Sequence, residues 1–164
     1  MPEKTYNVLF LCTGNSARSI LAEALMTHKG AGRFRGYSAG SHPTGRPRPE
    51  ALRQLASAGI ATEGFRSKSW DEFAEPDAPE MDFIFTVCDN AAGEVCPVWP
   101  GHPVTAHWGL PDPAAVHGTE EEVARAFRDA FMVLDRRISL LLALPIAALE
   151  EMALKKKVTE IGRA

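Results

Sequence analysis

Apolar residues fall along this chain in two modes: short unbroken runs, and stripes that repeat every three or four positions. Val8-Leu9-Phe10-Leu11 centres a buried strand over residues 6–12. Phe83-Ile84-Phe85-Thr86-Val87 reads as another, and Val104-Thr105-Ala106-His107-Trp108 as a candidate fourth. Arg33 to Ala39, with Phe34 and Tyr37, gives the second strand in chain order. Between these runs the period lengthens. Ser19 to Met26 predicts a helix over about 17–30, and Leu52, Leu55 and Ala56 share one face of a helix from Pro49 to Ala58. Proline near its start and Gly59 just past its end suit that assignment. Ser69 to Phe73 predicts a short helical turn. Thr119 with Glu122 forms a capping-box signature. It opens a helix with Val123, Phe127, Ala130, Leu134, Ile138 and Leu141 on one stripe. Glu120-Glu121-Glu122 at its start and Arg136-Arg137 toward its end suit the helix dipole. A further helix follows Pro145, making residues 145–164 a C-terminal helical extension. Strands alternating with helices predict a single α/β domain over 1–164 with a mostly parallel sheet.

Ligands of such sheets bind beyond the C-terminal strand ends, and Cys12 stands at one of them. The segment Cys12-Thr13-Gly14-Asn15-Ser16-Ala17-Arg18-Ser19 links the first strand to the first helix with small residues. A cysteine here could be no more than a small buried hydrophobe. The strand–loop–helix setting argues for more. A glycine-bearing loop of this kind turns backbone N–H groups toward a tetrahedral oxyanion, and the helix N-terminus adds positive potential. Arg18 supplies a planar fork for two anion oxygens. The same field favours the thiolate of Cys12, a nucleophilic sulfur at the floor of the cradle. Thr13, Gly14, Asn15, Ser16, Ala17, Arg18 and Ser19 are thus the expected oxyanion-binding residues.

Composition narrows the class. At 164 residues the chain can bury about 70% of its unfolded surface. A formal net charge of −3 offers no electrostatic case for nucleic acid. Lys155-Lys156-Lys157 reads as a solvated helix end. No apolar stretch is long enough to cross a membrane, and the first residues lack a signal-peptide hydrophobic region, so a cytoplasmic protein is expected. The three cysteines, Cys12, Cys88 and Cys96, are odd in number and make no disulfide scaffold. Neither their spacing nor that of the five histidines suits structural zinc, and no metal or cofactor is expected.

The loop resembles the phosphate loop of the low-molecular-weight protein tyrosine phosphatases. A second motif strengthens the resemblance: His107-Trp108-Gly109-Leu110-Pro111-Asp112-Pro113 contains the Asp-Pro that supplies the general acid in that superfamily. Two phosphatase features are missing. Ala17 stands where the phosphatases carry a second loop cysteine, and Ala114-Ala115 where tyrosines follow the Asp-Pro. Instead Cys88-Asp89-Asn90-Ala91-Ala92-Gly93-Glu94-Val95-Cys96-Pro97 follows the third strand. This pattern, with His-Trp-Gly before Asp-Pro, resembles the arsenate reductases of the same superfamily that are coupled to thioredoxin.

The resemblance implies a four-stranded parallel sheet of order 2-1-3-4, and catalysis by Cys12, Arg18, Cys88, Cys96 and Asp112. Reducing arsenate takes two electrons, which one thiol cannot supply alone. Cys12 would form a thioarsenate, Cys88 would resolve it, and Cys96 would move the disulfide outward. Arsenate is the implied substrate, with phosphate or sulfate competing. Thioredoxin is the implied reductant, with glutathione and glutaredoxin as the second candidate, because the Cys88–Cys96 spacing is one residue longer than in the best-known members. Asn15, Glu23 and Ser38 match positions that surround a potassium ion in some members; Lys68 here offers an ammonium instead. The competing readings are a phosphatase of phosphotyrosine or a small phosphoester, and a non-enzymatic oxyanion-binding or redox-sensing protein.

Overall fold

The computed structural model describes residues 5–87, 103–146 and 151–164. Four parallel strands, β1 (Tyr6–Cys12), β2 (Phe34–Gly40), β3 (Phe83–Thr86) and β4 (Val104–His107), form a sheet of order β2-β1-β3-β4. The order is the one the resemblance implies. Among the described residues four helices accompany them: α1 (Arg18–Lys29), α2 (Pro49–Ser57), α3 (Glu120–Leu142) and α4 (Glu151–Ile161). Short 3-10 turns cover Trp70–Phe73 and Pro113–Ala115. Every predicted element among the described residues is present, with ends shifted by a residue or so; of the helix expected after Pro145, the described part covers Glu151–Ile161. None of these helices is long and apolar enough to cross a membrane.

Strand alternation divides the core. Val8, Phe10 and Cys12 face the helices and share a cluster with Leu21 and Leu25 of α1, Leu55 of α2, Leu134 and Ile138 of α3 and Val158 of α4. Leu9 and Leu11 point to the other face, against Trp70, Phe73 and Met81. Both faces are covered, which is why β1 reads as a continuous apolar run. Phe85 stacks on Trp108 at 4.0 Å between ring centroids and 9° between planes, on the helix-covered side.

Two readings of basic residues need correction. Arg137 does not serve the helix dipole: α3 runs on to Leu142, its last turn holds no basic residue, and Arg137 is buried. It lies three residues from Leu134 and four from Leu141, on the apolar stripe itself, where its guanidinium reaches backbone carbonyls across the core. The lysine run is not a helix end either. It sits inside α4, and Lys155 Nζ donates to the backbone oxygen and, at 3.1 Å, to Oγ1 of Thr105 on edge strand β4.

Candidate active site

The loop 13–17 leaves β1 at Cys12, which is 6% exposed and lies beside Gly40 of β2. Its carbonyls are tied down from outside. Thr13 O accepts from His42 N at 2.9 Å, Gly14 O from Thr44 N at 3.0 Å and Ser67 Oγ at 3.0 Å, and Ser16 O from Arg48 N at 2.7 Å. In a planar trans peptide the next N–H points opposite to the carbonyl. The N–H groups of Gly14, Asn15 and Ala17 are therefore turned to the inner side of the loop. A ring of inward N–H groups above a cysteine can hold a tetrahedral anion against sulfur.

Asn15 holds the turn. Its φ of 46° is left-handed, a conformation that asparagine tolerates better than most side chains. The fully buried amide donates to Ser19 Oγ at 2.9 Å and accepts from Lys68 N at 2.9 Å, joining the loop to α1 and to the 66–69 segment. Gly40 completes the wall. A Cβ there would lie 2.4 Å from Thr13 O, so only glycine lets β2 approach this closely.

The start of α1 is left open for a negative charge. Ala17, at its N-cap, makes no side-chain cap bond, and the first turn contains no acidic residue. Arg18 reaches from that turn toward the Asp-Pro segment. Its Nη1 donates to Leu110 O at 2.8 Å, and its Nη2 lies 3.6 Å from Asp112 Oδ2. Nε is buried with no hydrogen-bond partner among the described residues, a donor that an anion in the loop could satisfy. Asp112 Oδ1 accepts from Ala114 N at 2.9 Å, so one carboxylate both caps its own turn and faces Arg18. With Asp112 41% exposed, this ion pair is screened and weak.

Behind the loop, Lys68 Nζ stands 3.7 Å from Glu23 Oε1 and donates to Arg66 O at 2.9 Å. Ser38 Oγ donates to the same Glu23 oxygen in a short bond. Burial pushes the Glu23 carboxyl up, and Lys68 draws it part of the way back. Burial likewise pushes the Lys68 ammonium down, opposed by Glu23.

Cys12, the loop residues, Arg18 and Asp112 thus come together at one strand end, whereas Cys88 and Cys96 lie outside the described residues. Sequence reasoning missed the outer ring of His42, Thr44, Arg48 and Ser67. Three of them act through backbone N–H groups, which leave no trace in residue type. It also missed Arg137, whose position on an apolar stripe was a usable signal.

Residues 7–159 match the family model described as low molecular weight phosphotyrosine protein phosphatase, and the chain belongs to that family. It is an enzyme whose curated relatives include the arsenate reductase of Bacillus licheniformis, 38% identical over 123 residues that make up 74% of this chain and 83% of the relative. A solved arsenate reductase in its phosphate-binding state superposes with a TM-score of 0.69 at 25% identity, covering 85% of this chain and 98% of its own. A low molecular weight protein tyrosine phosphatase from T. tengcongensis shares the fold at a TM-score of 0.68 and 21% identity, covering 84% and 98%. The fold alone does not separate reductase from phosphatase.

Proposed function

We propose that this chain reduces arsenate to arsenite with three cysteines and serves arsenic detoxification. The reading rests chiefly on the cradle: an N–H-lined loop over Cys12, with the orphaned Arg18 Nε beside it. Curated relatives named arsenate reductase supply the substrate class.

Arsenate enters the loop, held by N–H groups, the N-terminus of α1 and the Arg18 fork. The Cys12 thiolate attacks arsenic, and Asp112 protonates the departing oxygen, which leaves as water. Cys88 then attacks the Cys12 sulfur. The sulfur–arsenic bonding pair stays with arsenic, taking it from As(V) to As(III), and a Cys12–Cys88 disulfide remains. Attack of Cys96 on Cys88 frees Cys12 and leaves a Cys88–Cys96 disulfide for an external dithiol to reduce. Chain connectivity supports the first exchange. β1 and β3 are sheet neighbours, Val87 N donates to Leu11 O at 2.8 Å, and Cys12 and Cys88 are the next residues on each side. The Lys68 ammonium provides the positive charge behind the loop, in place of a bound cation.

The second reading is a phosphatase, which needs only Cys12, Arg18 and Asp112; the 3.6 Å approach of Arg18 to Asp112 supports it equally. Arsenate turnover coupled to thioredoxin, or to glutathione with glutaredoxin, measured beside hydrolysis of an aryl phosphate, separates the two. Reduction well above the uncoupled rate supports the first reading. Phosphate hydrolysis without arsenate reduction replaces it with the second.

A further inference from the structure

Three successive carbonyls in the segment before Asp112 are turned toward guanidinium groups. Arg137 Nη1, from α3, donates to Trp108 O at 2.8 Å and to Gly109 O at 3.1 Å. Arg18 Nη1, from α1, donates to Leu110 O at 2.8 Å. Arg137 is 6% exposed, faces no carboxylate among the described residues, and leaves Nε buried without a partner. Burial alone lowers its pKa. An apolar side chain at this point of the stripe would avoid that desolvation. What the arginine supplies is a fixed backbone for residues 108–110.

The last helix holds the same stretch as well. Trp108 Nε1 donates to Val158 O of α4 at 2.9 Å, and a Cβ at Gly162 would lie 2.3 Å from His107 O. Trp108 N donates to Thr86 O at 2.6 Å, which anchors the segment to the end of β3. The backbone entering Leu110-Pro111-Asp112 is thus held by α3, α4 and the sheet, and its far end meets Arg18.

We propose that Arg137 is a positioning residue for the reaction: by fixing the carbonyls of Trp108 and Gly109 it keeps Leu110 and Asp112 in register with Arg18. This rests on Asp112 being the acid of the proposed reaction. Arg137 touches neither substrate nor the reacting sulfur. Its effect passes through Asp112, so it belongs to the chemical step and not to anion capture.

The test compares Arg137→Met and Arg137→Lys with Asp112→Asn and with the Asp112→Asn/Arg137→Met double variant. Single-turnover arsenate consumption and sulfate affinity are measured for each, and far-UV circular dichroism checks the fold. Arg137→Met should slow the chemical step about 10- to 100-fold, the scale of an ångström-level misplacement, with sulfate affinity changed less than about threefold. Arg137→Lys should recover part of the rate, because an ammonium can still reach one carbonyl. On the Asp112→Asn background, Arg137→Met should cost little more. Should Arg137→Met unfold, Arg137→Lys carries the comparison. A slow Asp112→Asn together with wild-type rates in both Arg137 variants overturns the positioning role alone, as does full additivity in the double variant. An Asp112→Asn variant with the wild-type rate removes the acid reading itself and the positioning role with it.

Discussion

Arg18 divides its fork between Leu110 O at 2.8 Å and Asp112 Oδ2 at 3.6 Å, while its Nε makes no bond within the described residues. The guanidinium is braced by the segment that carries Asp112. The proposed clamp and the proposed acid therefore form one mechanical unit, although 93 residues lie between Arg18 and Asp112 in the sequence.

Replacing Cys12 by serine should abolish turnover and leave sulfate or phosphate binding largely intact, since the cradle consists of backbone N–H groups and Arg18. Arg18→Lys should bind and react poorly, because a point charge does not reproduce the fork. Isothermal titration with sulfate beside the arsenate assay checks both. A Cys12→Ser protein that reduces arsenate normally would end this assignment.

For Asp112→Asn the expected loss is about 10²–10⁴-fold in the single-turnover rate, the usual worth of general acid assistance. Sulfate affinity should hold nearly constant. An unchanged rate would reduce Asp112 to the cap of its own turn.

The cysteine relay makes a sharper forecast. Cys88→Ser should lose multiple-turnover arsenate reduction yet keep any weak phosphatase activity, because water can resolve a phosphocysteine. Cys96→Ser should complete about one turnover and stall as a Cys12–Cys88 disulfide, visible by mass spectrometry after thiol alkylation. Wild-type protein given arsenate without reductant should carry the Cys88–Cys96 bond. Full turnover in both serine variants would leave the phosphatase reading standing.

Behind the loop the forecast concerns pH. Burial raises the Glu23 carboxyl above 4.5, so the folded chain retains a proton that the unfolded chain has released. Stability from this group is present below the ordinary carboxylate range and is lost as pH rises through the raised folded value. Lys68→Met removes the ammonium that offsets the rise, so the raised value climbs further. The variant should be less stable than wild type by on the order of 3 kcal/mol at pH 8, with the gap narrowing toward pH 5. Burial pushes Lys68 below 10.5, so its own contribution to stability rises as pH climbs through the lowered value, which widens the gap in the same direction. Urea midpoints across pH 5 to 8 give the answer, and a gap independent of pH would contradict the pairing.

Much of this is legible in the sequence alone. A continuous apolar strand, a small-residue loop and a periodic helix are local signals, and they placed Cys12 and Arg18 at one strand end. Asp112 required a resemblance, because an Asp-Pro on its own is a turn. The outer ring could not be read, since His42, Thr44 and Arg48 contribute only main-chain donors that any non-proline residue possesses. Arg137 was misread for a different reason. Two adjacent arginines toward the end of a helix fit the dipole pattern, and only the phase of the stripe through Leu134, Ile138 and Leu141 distinguishes the buried one from its exposed neighbour Arg136.

The carbonyl bonds around residues 13–16 carry a consequence for selectivity. Held by donors from 42–48 and from Ser67, the cradle is a mould braced by the surrounding chain, and a mould of N–H groups measures shape and charge. Arsenate and phosphate are both tetrahedral oxyanions, so such a mould admits either. Discrimination then falls to the chemistry after capture. Arsenic can accept the sulfur–arsenic electron pair and leave as arsenite, whereas phosphorus has no comparable exit and departs unchanged or by hydrolysis. On the proposed reduction, phosphate in excess would occupy most encounters, and throughput would follow the ratio of the two anions more than the concentration of arsenate alone.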